Sequence, residues 1–195
     1  AIGVAGSSGS VEVLTGSTER EILEQFMEFV KQADLIIGYN SEKFDVPVIR
    51  KAAKRCGVDI PPLQRWYDLL PAIQWLSPHM LPSWSLEYVS EYYLGEKRVH
   101  TDKPFKELTM QEIIERCARD VELTRAVDQK IGASDIDIMK AHLSYVFPDE
   151  TQMISRCIDA LLLKRARELG YVLPNKPTKP ERVKHSGAFV AQPPK

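Results

Sequence analysis

Two carboxylates stand where packing alone does not ask for them. Asp45 lies in "IIGYNSEKFDVPVI" (36–49), just past an apolar stretch and between a phenylalanine and Val-Pro. Asp120 lies in "ERCARDVELT", beside the apolar stripe of a helical pattern. An ionised carboxylate taken out of water must be hydrogen-bonded, salt-bridged or on a metal, because its desolvation is otherwise too costly. Each residue therefore has two readings. Asp45 either caps a helix that enters at Pro47 or ligates a cation. Asp120 either pairs with Arg116 one turn earlier or does the same. Taken singly, neither residue decides between them.

The elements that would position these acids follow from periodicity and punctuation. "IGVAG" and "VEVLT" read as two short strands joined by Ser-Ser-Gly-Ser, a hairpin. Thr18 with Glu21 forms a capping box, after which Ile22, Leu23, Phe26, Met27 and Val30 recur at helical spacing up to about Ala33. "DLIIGY" is a short strand of the kind buried in a sheet. A helix then runs from about Pro47 to Cys56, with Gly57 as its stop. "LQRWYDLLPAI" ends a strand at Asp68, and Ser85 caps "LEYVSEYYLG", closed by Gly95. Thr109 and Glu112 open the longest amphipathic segment, whose inward stripe is Ile113, Ile114, Cys117, Val121, Thr124 and Val127. Two further helices are expected over about 134–146 and 151–169. The proline-rich end, 174–195, crosses a surface.

Bulk composition narrows the class. The chain has 195 residues, 44% hydrophobic and 27% charged, enough for a sizeable core. No apolar run approaches the roughly 20 residues a bilayer-spanning helix needs. Cys56, Cys117 and Cys157 are odd in number and scattered through helical patterns, which fits reduced thiols in an intracellular, cytoplasmic setting rather than disulfides or zinc. The four histidines show no ligand spacing. The net charge of −1 conceals an asymmetry, since residues 164–195 hold eight Lys or Arg against two Glu. That end reads either as a solvated tail or as a strip tracking a phosphate backbone.

Taken with their neighbours, the acids resemble something specific. "YNSEKFDVPVI" resembles the second exonuclease motif of family B DNA polymerases, Tyr/Phe-Asn-x-x-x-Phe-Asp-x-Pro, matched at Tyr39, Asn40, Phe44, Asp45 and Pro47. "ERCARDVELT" is similar to the third motif, Tyr-x-x-x-Asp, with Asp120 as its acid. "WYDLLPAI" and "LPSWSLEYVSEYYLG" resemble the segments between those motifs. "PNKP" (174–177) and "HSGAFVAQPP" (185–194) resemble markers that archaeal members carry farther on.

The resemblance implies an α/β chain with an RNase-H-like exonuclease fold: a mixed sheet flanked by helices, lacking its first, central strand, with a helical C-terminal extension. Residues 1–130 would be the 3′–5′ exonuclease domain and 131–195 the extension and linker toward a polymerase domain. It further implies proofreading during DNA replication by two-metal hydrolysis of the primer's 3′-terminal nucleotide. Mg²⁺ or Mn²⁺ would be held by Asp45 and Asp120, with Arg116 also in the catalytic group. DNA would be contacted by Tyr39, Asn40 and Phe44, and by Lys176, Lys184, His185 and Gly187. The implied partners are single-stranded primer and template DNA and the rest of a polymerase chain.

Three departures from the pattern matter. No Asp-x-Glu precedes the first helix, where only Glu12 and Glu19 stand; Arg116 takes the place of the motif tyrosine that would orient the attacking water; and His185 replaces a second tyrosine. The chain is therefore expected to be a fragment that starts just downstream of the first motif, with an incomplete metal site and no activity of its own. Three outcomes are open to the broken sheet: it closes on itself, it takes a strand from a second copy as a strand-exchanged dimer, or residues 1–16 move elsewhere; the first two are expected. Two other readings remain: a non-catalytic module binding DNA or a replication partner, and a free-standing RNase-H-like exonuclease.

Overall fold

A computed structural model describes residues 1–6, 9–31, 33–60, 66–77, 81–97 and 104–175. Strands β1 (Ile2–Ala5) and β2 (Val11–Leu14) form an antiparallel hairpin. Helix α1 (Glu19–Val30) follows, then β3 (Ile36–Gly38), α2 (Asp45–Cys56), β4 (Trp66–Asp68) and α3 (Leu69–Leu76). Helices α4 (Leu86–Leu94), α5 (Met110–Ile131), α6 (Ala133–Ser144) and α7 (Ile154–Glu168) complete the order. No described helix is long and apolar enough to cross a membrane.

The expected punctuation is in place at most ends. Thr109 and Glu112 form a full capping box on α5, and Ser85 Oγ accepts from the Tyr88 N–H at the start of α4. Gly57, Gly95 and Gly132 take left-handed conformations at the ends of α2, α4 and α5, where any Cβ would be strained. The box on α1 is shifted. Thr18 Oγ1 accepts from Glu21 N–H, but Glu21 reaches back to the Ser17 N–H rather than to that of Thr18. Helix α3 is an element that the periodicity did not announce. Asp68 caps it, and its eight residues are too few for a readable repeat.

β3 and β4 run parallel, with Ile36, Ile37 and Gly38 opposite Trp66, Tyr67 and Asp68. They form a sheet separate from the β1–β2 hairpin. The single mixed sheet expected from the sequence is thus two pairs among the described residues, and the pairs do not bond to each other. The reason lies in α5, which packs on both strands of the hairpin. A Cβ at Gly3 would sit 2.8 Å from the Cys117 carbonyl oxygen and from a Val121 methyl, so only glycine allows this approach. The hairpin is held against a helix instead of closing on β3.

Hydrophobic burial, worth about 1.5–3 kcal/mol for each large side chain, is divided between two clusters. One gathers Val4, Leu14, Leu23, Phe26, Val30, Ile49 and Trp66 from the hairpin, α1, α2 and one face of β4. The other gathers Tyr67, Leu69, Ile73, Val89, Val127 and Ala133 from the opposite face of β4 and from α3 to α6. Helix α5 serves several neighbours, so its apolar face is wider than the stripe read from sequence. Leu123 and Val127 are its buried residues, whereas Ile113, Ile114, Cys117, Val121 and Thr124 are half-buried.

The chain divides into two compact units, Ala1–Leu161 and Leu162–Lys195. The described part of the second holds the last turns of α7, where Gly170 at φ 75° follows the helix and Leu162, Leu163, Leu169 and Val172 are exposed.

Candidate active site

The candidate site begins at the C-terminal ends of the two parallel strands, where open α/β sheets place their ligands. β3 ends at Gly38, and the chain turns at once through residues 39–44 into α2. The turn is tight. A Cβ on Gly38 would stand 2.6 Å from the Ser41 Cβ, and Ser41 is buried. Asn40 adopts φ 54°, a left-handed conformation that asparagine tolerates better than other side-chain-bearing residues. Within the turn, Phe44 N–H donates to the Asn40 carbonyl (3.3 Å) and Val46 N–H to the Ser41 carbonyl (2.8 Å).

Asp68, opposite Gly38, holds that turn from across the sheet. Its Oδ1 accepts from the N–H groups of Asn40 (2.8 Å) and Leu70 (3.0 Å), and its Oδ2 accepts from Glu42 N–H (3.1 Å). One carboxylate thus caps α3 and clasps a loop 28 residues away. Sequence reasoning took Asp68 only as a strand end. The available signal was an acid followed by an apolar helical run, a cap signature.

Asp45 is the first residue of α2, and Phe44 is the cap position without a side-chain capping bond. The helix begins two residues before Pro47 because a first-turn residue needs no intrahelical N–H donor, so proline fits there. The capping reading of Asp45 is thereby corrected. Its carboxyl is pushed above the usual carboxylate range, first by the surrounding protein and then by the like charges of Asp68 and Asp120, while its own N–H pulls the other way. Asp45 consequently lies within electrostatic reach of both Asp68 and Asp120, which come from two other elements.

Asp120 is half-buried on α5, and Arg116 is half-buried one turn earlier. The ion pairs in this part of α5 belong to a different arginine: Arg119 reaches Glu96 at 2.6 Å and Glu122 at 3.1 Å. The Arg116–Asp120 pairing read from the sequence is not among the ion pairs between described residues. Tyr39 donates its hydroxyl to the Trp84 carbonyl at 2.8 Å, and its pKa is raised by burial and then by Asp68. Phe44 is 67% exposed at the head of α2, its ring toward solvent. Lys176, Lys184, His185 and Gly187 lie outside the described residues.

The donor set is suited to a hard cation. Asp45 and Asp120 offer carboxylate oxygens, and the charge crowding at Asp45 is of the sort a divalent cation relieves. Among the described residues no group of three or more His, Cys, Asp or Glu forms a metal-holding cluster. The fit is to a cation that keeps much of its water, rather than to a closed protein cage.

Comparison with known proteins falls in the same place. Residues 5–68 match the family model for the DNA polymerase family B exonuclease domain, a range that holds β2, α1, the 39–44 turn, Asp45 and Asp68. The chain is 27% identical over 211 residues to the DNA polymerase of Thermococcus kodakarensis, covering 91% of this chain and 12% of that protein. It is 27% identical over 211 residues to the DNA polymerase of Thermococcus gorgonarius, covering 91% and 27%. For the DNA polymerase of Pyrococcus horikoshii the match is 26% over 219 residues, covering 95% and 17%. What these matches show is that residues 5–68 are similar to the exonuclease domain of family B DNA polymerases. Over nearly its whole length the chain is similar to archaeal-type members, while spanning 12–27% of the length of these three.

Proposed function

We propose that this chain carries the 3′–5′ proofreading exonuclease region of a family B DNA polymerase, with single-stranded DNA ending in a 3′ hydroxyl as its substrate. The observation that supports this most directly is that Asp45, which opens α2 just past the end of β3, lies within electrostatic reach of Asp68 at the end of β4 and of Asp120 on α5. In this reading residues 1–130 are the exonuclease domain, an RNase-H-like one, and 131–195 are the extension toward a polymerase domain.

Asp45 and Asp120 would hold the divalent cation, Mg²⁺ or Mn²⁺. When bound, such a cation supplies a water of lowered pKa and neutralises charge building on the scissile phosphate. Phe44 offers an exposed ring on which a terminal base can stack, worth about 1–3 kcal/mol per base. Asn40 stands in the same turn. Arg116 offers a guanidinium near the third-motif acid, able to contact a phosphate. With two acids in place and no Asp-x-Glu before α1, the 195-residue chain binds metal weakly and hydrolyses slowly or not at all.

The second reading, a DNA-binding module without catalysis, is favoured by the lack of a three-ligand cluster among the described residues. One experiment separates the two. Mn²⁺ binding is followed by electron paramagnetic resonance for the chain and for Asp45→Asn and Asp120→Asn, alongside hydrolysis of a 3′-labelled oligonucleotide. The hydrolysis is measured for the chain and for a longer polypeptide in which an Asp-x-Glu strand precedes residue 1. The exonuclease reading expects weak Mn²⁺ binding lost in both variants, and hydrolysis in the longer polypeptide that falls at least about 100-fold on either substitution. No hydrolysis by the longer polypeptide, with oligonucleotide binding retained, establishes the module instead.

A further inference from the structure

We propose that Asp68 is a positioning residue for the candidate site: its two carboxylate oxygens lock the 39–44 turn to β4 and so set where α2 begins and where Asp45 and Asn40 stand. This rests on the reading of Asp45 and Asp120 as metal ligands.

The geometry argues for a clasp rather than an ordinary helix cap. A cap needs one oxygen and one or two N–H groups of its own helix, and Asp68 gives that bond to Leu70. The remaining bonds go to Asn40 and Glu42, on the far side of the β3–β4 pair. Asn40 has left-handed backbone geometry, which a non-glycine residue keeps only where its surroundings enforce it. The Asp68 bond to its N–H is such a restraint. The turn is closed tightly at Gly38, where a Cβ would stand 2.6 Å from the Ser41 Cβ, so no larger residue fits. From Ser41 the restraint passes to the helix, whose second residue, Val46, donates to the Ser41 carbonyl. Asp45 lies between those points. Groups that orient metal ligands without touching the metal commonly carry about 10–100-fold in metal affinity.

Charge is the competing explanation, because a further carboxylate near Asp45 attracts cations wherever the turn sits. Asp68→Asn separates the two effects. The amide matches the carboxylate in shape and can keep one acceptor, but its NH₂ then opposes an N–H that the carboxylate used to accept.

The test uses the 195-residue chain and two readouts. Amide hydrogen exchange by NMR reports the Asn40 and Glu42 N–H groups, and Mn²⁺ titration reports the site. Asp128→Asn is the control, since Asp128 likewise holds Ser134 N–H (2.9 Å) and its hydroxyl at the start of α6. We expect Asp68→Asn to lose exchange protection at Asn40 or Glu42 by at least about tenfold, to leave the β1–β2 amides protected, and to weaken Mn²⁺ by about 10–100-fold. Asp128→Asn leaves the turn amides and Mn²⁺ affinity unchanged. Weaker Mn²⁺ binding with both turn amides still protected would assign the effect to charge and overturn the proposal. Equal losses in the Asp128 variant would assign it to general stability and overturn it too. If Asp45→Asn leaves Mn²⁺ binding intact, the metal reading fails, while the turn amides still decide whether Asp68 holds the turn.

Discussion

Trp66 and Tyr67 are consecutive in β4 and lie in different cores. Trp66 packs with Phe26, ring centroids 5.9 Å apart, and Tyr67 faces α3 and α6, where its hydroxyl donates to Asp137 at 2.8 Å. Side chains alternate across a strand, so one short strand separates two hydrophobic clusters and ends in the acid that organises the turn.

Tyr67→Phe tests the deeper of these clusters. Asp137 is 2% exposed and accepts from Tyr67 and from Lys140 (2.8 Å), whose ammonium lies 4.6 Å from the centre of the Trp75 ring. Losing the hydroxyl leaves a buried carboxylate short of a donor, which costs about 1–3 kcal/mol. Urea denaturation should show that loss with an unchanged m-value, and an undiminished midpoint would show that Lys140 alone satisfies Asp137.

Asp45→Asn tests the crowding of carboxylates. The folded-state pKa of Asp45 is raised, so its contribution to stability is fully present below the ordinary carboxylate value and is lost as pH rises through the folded value. Ionised Asp45 therefore weighs against folding at neutral pH. The variant should have a higher Tm than the parent at pH 7, and the gap should close as pH falls below the ordinary carboxylate range. A gap that widens in acid would mean that Asp45 is stabilised as an anion.

Asn40→Gly separates backbone from side chain in the turn. Glycine accepts φ 54° without strain, so stability should change by less than about 1 kcal/mol, whereas Asn40→Ala should lose about that amount or more. If the Asn40 side chain contacts the substrate strand, both variants should bind a short oligonucleotide more weakly, as read by fluorescence anisotropy. Unchanged binding in both would confine Asn40 to a turn-forming role.

Arg116→Tyr restores the residue that the third motif carries at this place. Residues four apart on a helix are neighbours, so removing the positive charge should strengthen Mn²⁺ binding at Asp120 by about threefold through a solvent-screened interaction. In the longer polypeptide, 3′-end hydrolysis should rise. A fall in both measurements would place the guanidinium on the substrate phosphate instead.

Much of the fold was legible because its signals are local. The hairpin, the caps at Ser85 and Thr109, and the stops at Gly57 and Gly95 each depend on a few adjacent residues. α3 was not legible, because eight residues between a strand and a serine-rich turn show no repeat that excludes other readings. The width of the α5 face was misread because it depends on how many neighbours the helix has. Sequence spacing cannot count them.

The sequence by itself determined that Asp45 and Asp120 are set apart from ordinary surface acids, and which family they resemble, since residue type and spacing within ten or so positions carry that information. Tertiary structure alone decided that Asp45 opens α2 rather than capping it, that among the described residues Arg119 rather than Arg116 forms the ion pairs of α5, and that Asp68 belongs with the site. The last two depend on groups 23 to 28 positions apart being brought within hydrogen-bond range, as Arg119 is to Glu96 and Asn40 to Asp68. Such distances are set when β4 aligns with β3 and α5 settles on the hairpin, because hydrophobic burial, which is non-directional, chooses the packing before the polar groups find their partners.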